Sequence, residues 1–272
     1  MTRTSKGVKL IIIVMVIYLF IPFVITGLYS LASKWSTTVL PEGYTLKHYA
    51  EMFLSERFWS AILRSVGISV AGVSLAVLVM TPLVYVVITF TPKLEGLLKA
   101  LTLMPYAIPG VISATALLNT YGGTDLPMVA VLAGSYFVFI MPLMYSGISN
   151  AMRAIDIVPV SEAARVLGAS TLQTFLRIIV PGIGPGILVS TLLSFSTLFG
   201  EFVIANMLIG GSFETIQIYL YLVMKQTGPL SSAIVVIYVF IMTLICIALI
   251  KLSGGKEPAN RTGRRNAHEP VY

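Results

Sequence analysis

Charge is what this chain has least of. Only 11% of its 272 residues are Asp, Glu, Lys or Arg, against about a quarter in an ordinary soluble domain. A water-facing surface needs such residues, so a free-standing soluble fold is excluded. Cysteine is nearly missing: Cys246 is alone, and no internal disulfide can form. His48 and His268 lie in separate segments and offer no metal constellation. Nor is there a Gly-x-x-x-x-Gly-Lys-Ser/Thr phosphate loop, since Gly254-Gly255-Lys256-Glu257 lacks both the spacing and the hydroxyl. The chain is therefore not expected to hydrolyse ATP. A nucleophile elbow, a His-Glu zinc motif and paired intramembrane carboxylates are also missing, which disfavours an intramembrane enzyme.

What is present is apolar length. A bilayer is crossed by roughly 20 apolar residues, and six uncharged runs have about that length: Leu10–Ala32, Ser65–Thr91, Ala100–Thr120, Leu126–Met152, Ile178–Gly200 and Thr227–Ile250. The expectation is an all-α polytopic membrane protein with six transmembrane helices. Residues 9–252 form one membrane domain, between a short N-terminal segment, 1–8, and a polar, Arg-rich tail, 253–272, expected to be mobile. The first run has the basic start of a signal peptide, but it is long and lacks a small-residue cleavage site, so it reads as a retained helix.

The net charge of +7 does not point to nucleic acid, because the basic residues flank the apolar runs instead of forming a patch. With the amino terminus inside, thirteen Lys and Arg residues face the cytoplasm. Five face out: Lys34, Lys47, Arg57, Arg64 and Lys225. The positive-inside rule then puts both termini in the cytoplasm.

Three segments carry further information. From Ser33 to Ser60, the residues Leu46, Tyr49, Met52 and Phe53 recur at helical spacing, as in an amphipathic helix at the outer interface. Such a helix either rests on lipid or helps to receive an external binding protein. In the third run, Pro105, Pro109 and Gly110 interrupt the helix, which is expected to kink and face the protein interior. The kink is structural or a gating hinge. The polar gap 150–181 reads as two short helices. Pro159 and Glu162 lie in the first turn of the first, and Val160, Ala163, Ala164 and Leu167 form an apolar stripe. Gly168 makes a left-handed corner, Ser170 and Gln173 form a capping box, and Pro181 ends the second helix.

Within that gap, Glu162-Ala163-Ala164, Gly168 and Ile178-Ile179-Val180-Pro181 follow the spacing Glu-Ala-Ala, three residues, Gly, nine residues, Ile-x-Leu-Pro, with Val180 in place of Leu. In residue identity and spacing this resembles the cytoplasmic loop through which bacterial ABC import permeases grip their ATPase. The likeness covers nearly the whole chain and implies the type I importer permease architecture in the bacterial inner membrane. It implies an ATPase dimer, a second permease subunit (related or identical), an extracytoplasmic substrate-binding protein and surrounding lipid as partners. No cofactor of this chain's own is implied; ATP would bind the partner ATPase. Glu162, Ala163, Ala164, Arg165 and Gly168 would couple the two proteins, so that ATPase closure drives alternating access.

Glu201 is the one acidic residue flanked on both sides by long apolar sequence, preceded by Ser190, Thr191, Ser194, Ser196 and Thr197. Either this span lines the path and Glu201 attracts a cationic solute, or Glu201 lies at the outer headgroup level. Ser194, Thr197, Asn119, Tyr136 and Tyr145 are further path candidates. Phe199-Gly200-Glu201-Phe202 and Gly210-Gly211-Ser212-Phe213-Glu214-Thr215 are similar to the permease group importing spermidine or putrescine, phosphonates and ferric iron. The alternative is a secondary transporter driven by an ion gradient. Against it, no inverted repeat stands out and there is a single candidate carboxylate.

Overall fold

The computed structural model describes residues 6–35 and 40–253. Most of the 1–8 segment and nearly all of the basic tail therefore lie outside the described residues, as does Gly254–Glu257.

The chain opens with α1 (Lys6–Ser30), an uninterrupted apolar helix. A two-stranded antiparallel pair follows, β1 (Ala32–Lys34) and β2 (Gly43–Tyr44), with Ala32 opposite Tyr44. Next come α2 (Lys47–Leu54) and α3 (Glu56–Phe90). At 35 residues, α3 is about 52 Å long, well beyond the roughly 30 Å hydrocarbon layer. It starts nine residues before the expected span because Ser55 accepts a hydrogen bond from the Phe58 N–H and Glu56 occupies the first turn.

The third run is broken, not merely kinked. α4 (Glu95–Leu103) passes through a 3₁₀ turn, Met104–Ala107, and meets α5 (Gly110–Tyr121) at a bend of 92°. Pro105 opens the 3₁₀ turn. Pro109 caps α5 and forces Ile108 into extended backbone, ψ 122°. Two prolines four residues apart thus remove helical continuity where one would only bend it. The segment does not face the chain's own interior: Met104, Tyr106 and Ile108 are exposed.

α6 (Met128–Ala154) is followed by the corner helices α7 (Ile157–Val166) and α8 (Thr171–Thr174). A π-helical turn, Phe175–Ile179, then leads directly into α9 (Val180–Phe199). Pro181 therefore begins a span instead of ending a helix, sitting in the first turn of α9. The widened turn just before it accommodates a residue that cannot donate. After α9 come the short helices α10 (Val203–Leu208) and α11 (Ile216–Met224), then α12 (Gly228–Ser253). Among the described residues, five helices are long and apolar enough to cross a membrane, and the bent α4–α5 pair makes a sixth crossing if counted as one span.

The core lies where α3, α6 and α9 meet, with α5 and α10 against them. Its closest seam is between α6 and α9. A Cβ added at Gly147 would stand 1.7 Å from Ser190 Oγ, and one at Gly186 would stand 2.3 Å from Ala151 Cβ. Small residues four apart on both helices let the backbones touch, which is how helices gain contact in lipid without a hydrophobic drive. Ser190 donates to the Gly186 carbonyl at 2.8 Å, so its hydroxyl is satisfied within its own helix. By contrast, α1 buries almost nothing and leans on α12, where Tyr29 fills the space over Gly228. In α2, Tyr49 and Met52 turn inward while Leu46 and Phe53 remain exposed, so only half of the expected apolar stripe is used.

Candidate functional site

Two regions hold the expected site residues, one at each end of α9. The first is the corner α7–Gly168–α8. Asp156, in left-handed backbone at φ 49°, redirects the chain out of α6, and α7 begins immediately after it. This start lies two residues before Pro159. Pro159 still falls in the first turn, where its missing N–H costs nothing. Glu162 does not: it is the sixth residue of α7. The inward residues are Ile157, Val160, Ser161 and Ala164, whereas Ala163 and Leu167 of the expected stripe face out.

Gly168 performs the role expected of it. Its φ is +85°, a conformation that costs an L-residue about 1–2 kcal/mol. The Ala169 N–H reaches the Ala164 carbonyl at 3.0 Å and the Gly168 N–H reaches the Arg165 carbonyl at 2.9 Å. Those two bonds are the Schellman pattern and satisfy the last carbonyls of α7. Ser170 and Gln173 form the capping box: Gln173 N–H to Ser170 Oγ, 3.3 Å, and Ser170 N–H to Gln173 Oε1, 2.9 Å. The result is a rigid bend that presents Glu162 with four apolar side chains, Val166, Leu167, Leu172 and Leu176. Val166 and Leu167 are 88% and 86% exposed. Arg165 lies over the ring of Phe90, 4.7 Å from its centroid, instead of standing free at the rim.

The second region surrounds Glu201. Its Oε1 accepts from the Ile204 N–H at 2.7 Å; its Oε2 accepts from the Ala205 N–H at 3.0 Å and from the Tyr136 hydroxyl at 3.1 Å. The carboxylate thus caps the first turn of α10, satisfying donors that have no partner inside the helix. Of the path candidates, the structure joins only Tyr136 to Glu201. Ser194 is buried with its hydroxyl unpartnered among the described residues, Thr197 bonds the Leu193 carbonyl, and Asn119 is exposed on α5. Tyr145 lies near the other end of α6, donating to Glu95 at 3.4 Å.

Two ion pairs were not legible in the sequence. Arg57 clasps Glu214 with two guanidinium nitrogens, Nε at 2.7 Å and Nη2 at 2.5 Å, and Glu214 is only 6% exposed. Nearby, the Ser65 hydroxyl receives the Ile216 N–H at 2.7 Å, so α3 holds the loop before α11 at two points. At the corner end, Arg153 pairs with Glu95, tying α4 to the last turn of α6. These partners lie 157 and 58 residues apart, far beyond any helical or turn spacing.

Residues 88–253 match the family described as binding-protein-dependent transport system inner membrane component. The spermidine/putrescine transport system permease protein PotB of Salmonella typhimurium is 26% identical over 235 residues, covering 78% of this chain and 80% of that one. The putative 2-aminoethylphosphonate transport system permease protein PhnV of Salmonella typhimurium is 23% identical over 266 residues, 97% of each chain. Among solved structures, the fold is similar to a bacterial ABC transporter involved in the import of the acidic polysaccharide alginate. The TM-score is 0.68 at 16% identity, over 92% of this chain and 99% of that chain.

Proposed function

Since the chain belongs to the family of binding-protein-dependent transport system inner membrane components, we propose that it is the membrane-spanning half of an ATP-driven importer, coupled to a separate ATPase through the α7–Gly168–α8 corner. The observation that carries this reading is the exposure of Val166 and Leu167 on a bend held by the Schellman pair and the Ser170–Gln173 capping box. Burying a Val or Leu is favourable by about 1.5–3 kcal/mol. Such side chains, held rigidly at the end of a membrane protein and next to Glu162, are suited to a groove in a soluble partner. Basic residues cluster on the same side: Lys93, Lys99, Arg153, Arg165 and Arg177. This supports a cytoplasmic location for the corner and both termini.

A second permease subunit covers the exposed α4–α5 elbow, and the two together enclose the path. An external binding protein delivers the solute at the end bearing α2 and α10. The relatives named for polyamine and aminophosphonate transport favour a small polar solute carrying an amine. Glu201 serves this reading as the brace of α10 instead of a free ligand, because both of its oxygens are engaged.

The test is uptake by vesicles reconstituted with the permease pair, the ATPase and the binding protein, across spermidine, putrescine, 2-aminoethylphosphonate and chelated iron. ATP-dependent accumulation of one of these is expected. Uptake by the membrane subunits alone under an ion gradient would replace this reading with a secondary transporter.

A further inference from the structure

The inner half of the corner is held to the body by rings. Beyond Ala164, α7 turns its apolar residues outward, and the Arg165 guanidinium lies over Phe90. Phe90 is the last residue of α3. Its ring meets Tyr85 edge-on at 5.9 Å and 88°, and Tyr85 in turn lies 5.0 Å from Phe175. Phe175 opens the π-helical turn that becomes α9. Both arms of the corner therefore grip the same end of α3, one through Phe90 and the other through Tyr85.

The hydroxyls at this joint do not share the work. Those of Tyr85, Ser161 and Thr174 are buried without a hydrogen-bond partner among the described residues. The directional contacts here are aromatic and cation–π, with the ring pairs in the edge-on and tilted arrangements that the ring quadrupole favours. At its far end, some 50 Å away along an unbroken helix, α3 holds the opposite loop through Arg57–Glu214 and Ser65–Ile216.

We infer that Arg165, Phe90, Tyr85 and Phe175 form a ring ladder that makes the corner and α3 move as one body, so that a pull on the corner is delivered to the opposite face. This rests on the ATPase-coupling reading above, and it assigns Arg165 to an internal joint instead of to the partner's groove. Phe90, Tyr85 and Phe175 act in it as positioning residues.

The experiment uses the transporter with its ATPase bound, in lipid nanodiscs, on a Cys246→Ser background. Nitroxides at Val158→Cys on α7, outside the Val166–Leu167 docking surface, and Leu63→Cys on α3 report their separation by pulsed dipolar spectroscopy, with and without ATP. In the parent the separation stays fixed when ATP is added. In Phe90→Leu the fraction of pairs outside the parent distribution rises about two- to fivefold, the change expected for losing one exposed cation–π contact. Phe90→Trp restores the parent distribution, and Tyr85→Phe leaves it unchanged because the rings carry the contact. Arg165→Met repeats the Phe90→Leu result and replaces it if that variant inserts poorly.

A parent-like distribution in both Phe90→Leu and Arg165→Met would overturn the ladder. So would loss of bound ATPase in Arg165→Met with retention in Phe90→Leu, since Arg165 would then be a contact of the partner. If the unmodified membrane subunits bind no ATPase, the coupling reading itself fails. That outcome is visible before any label is read.

Discussion

Gly168 offers a perturbation whose cause can be separated from bulk. A Cβ at this position would meet nothing within 4 Å, so a side chain there creates no clash. What it meets is the backbone, fixed at φ +85° by the Schellman pair from Ala169 and Gly168. An ordinary L-residue in that conformation costs about 1–2 kcal/mol, a β-branched one more, and Asn or Asp less. One to two kcal/mol shifts a two-state population by a factor of roughly 5–30. The corner should therefore leave its docked geometry in the order Gly168→Val, then Gly168→Ala, with Gly168→Asn nearest to the parent. Gly168→Asp adds a charge beside the last turn of α7 and should uncouple more than Gly168→Asn. The assay is solute accumulated per ATP hydrolysed, at matched amounts of inserted protein. A ranking that followed side-chain volume, or parent-like coupling in Gly168→Val, would refute the conformational argument.

Other expectations follow from single contacts. Replacing Glu201 by Gln removes a charge-assisted cap from α10 and should lower stability by about 1–2 kcal/mol. Thermal unfolding in detergent measures this; an altered KM for a cationic solute with unchanged stability would instead make Glu201 a solute contact. Gly147→Ala should prevent normal packing of α6 on α9, and Ser190→Gly should restore it, because the added methyl lies 1.7 Å from the Ser190 hydroxyl. Failure of that suppressor, scored by folded yield, would contradict the seam as described. Arg57→Ala leaves the nearly buried Glu214 carboxylate without its partner, costing about 1–3 kcal/mol. Adding Glu214→Gln should recover part of the loss, and an additive double mutant would show that the pair is not coupled.

The parts legible in the sequence are those encoded locally. Apolar runs marked the spans because lipid demands length and low charge over consecutive residues. Gly168, and Ser170 with Gln173, marked the corner because caps act within five residues of themselves. The outcome diverged wherever two local signals competed or a distant partner decided. Pro159 is a plausible first residue for α7, but the left-handed turn at Asp156 starts the helix earlier. Glu162 is thereby left past the first turn, and Leu167, beyond the last residue of α7, stands on the exposed corner. Pro181 reads as a stop, but the π-helical turn before it lets the helix run on into α9. Pro105 and Pro109 announced a bend without its size of 92°. Glu201 was visible as an isolated charge, whereas its bond to Tyr136, 65 residues away, was not.

Site-directed crosslinking at Leu167 tests the coupling claim most directly. With Cys246→Ser and Leu167→Cys in the assembled transporter, a short bifunctional reagent should join the membrane subunit to the ATPase, and ATP should change the yield. Tyr18→Cys, equally open on α1 at 74% exposure, should give no such product. Reaction at Tyr18→Cys but not at Leu167→Cys would contradict the assignment of the corner as the handle on which the ATPase acts.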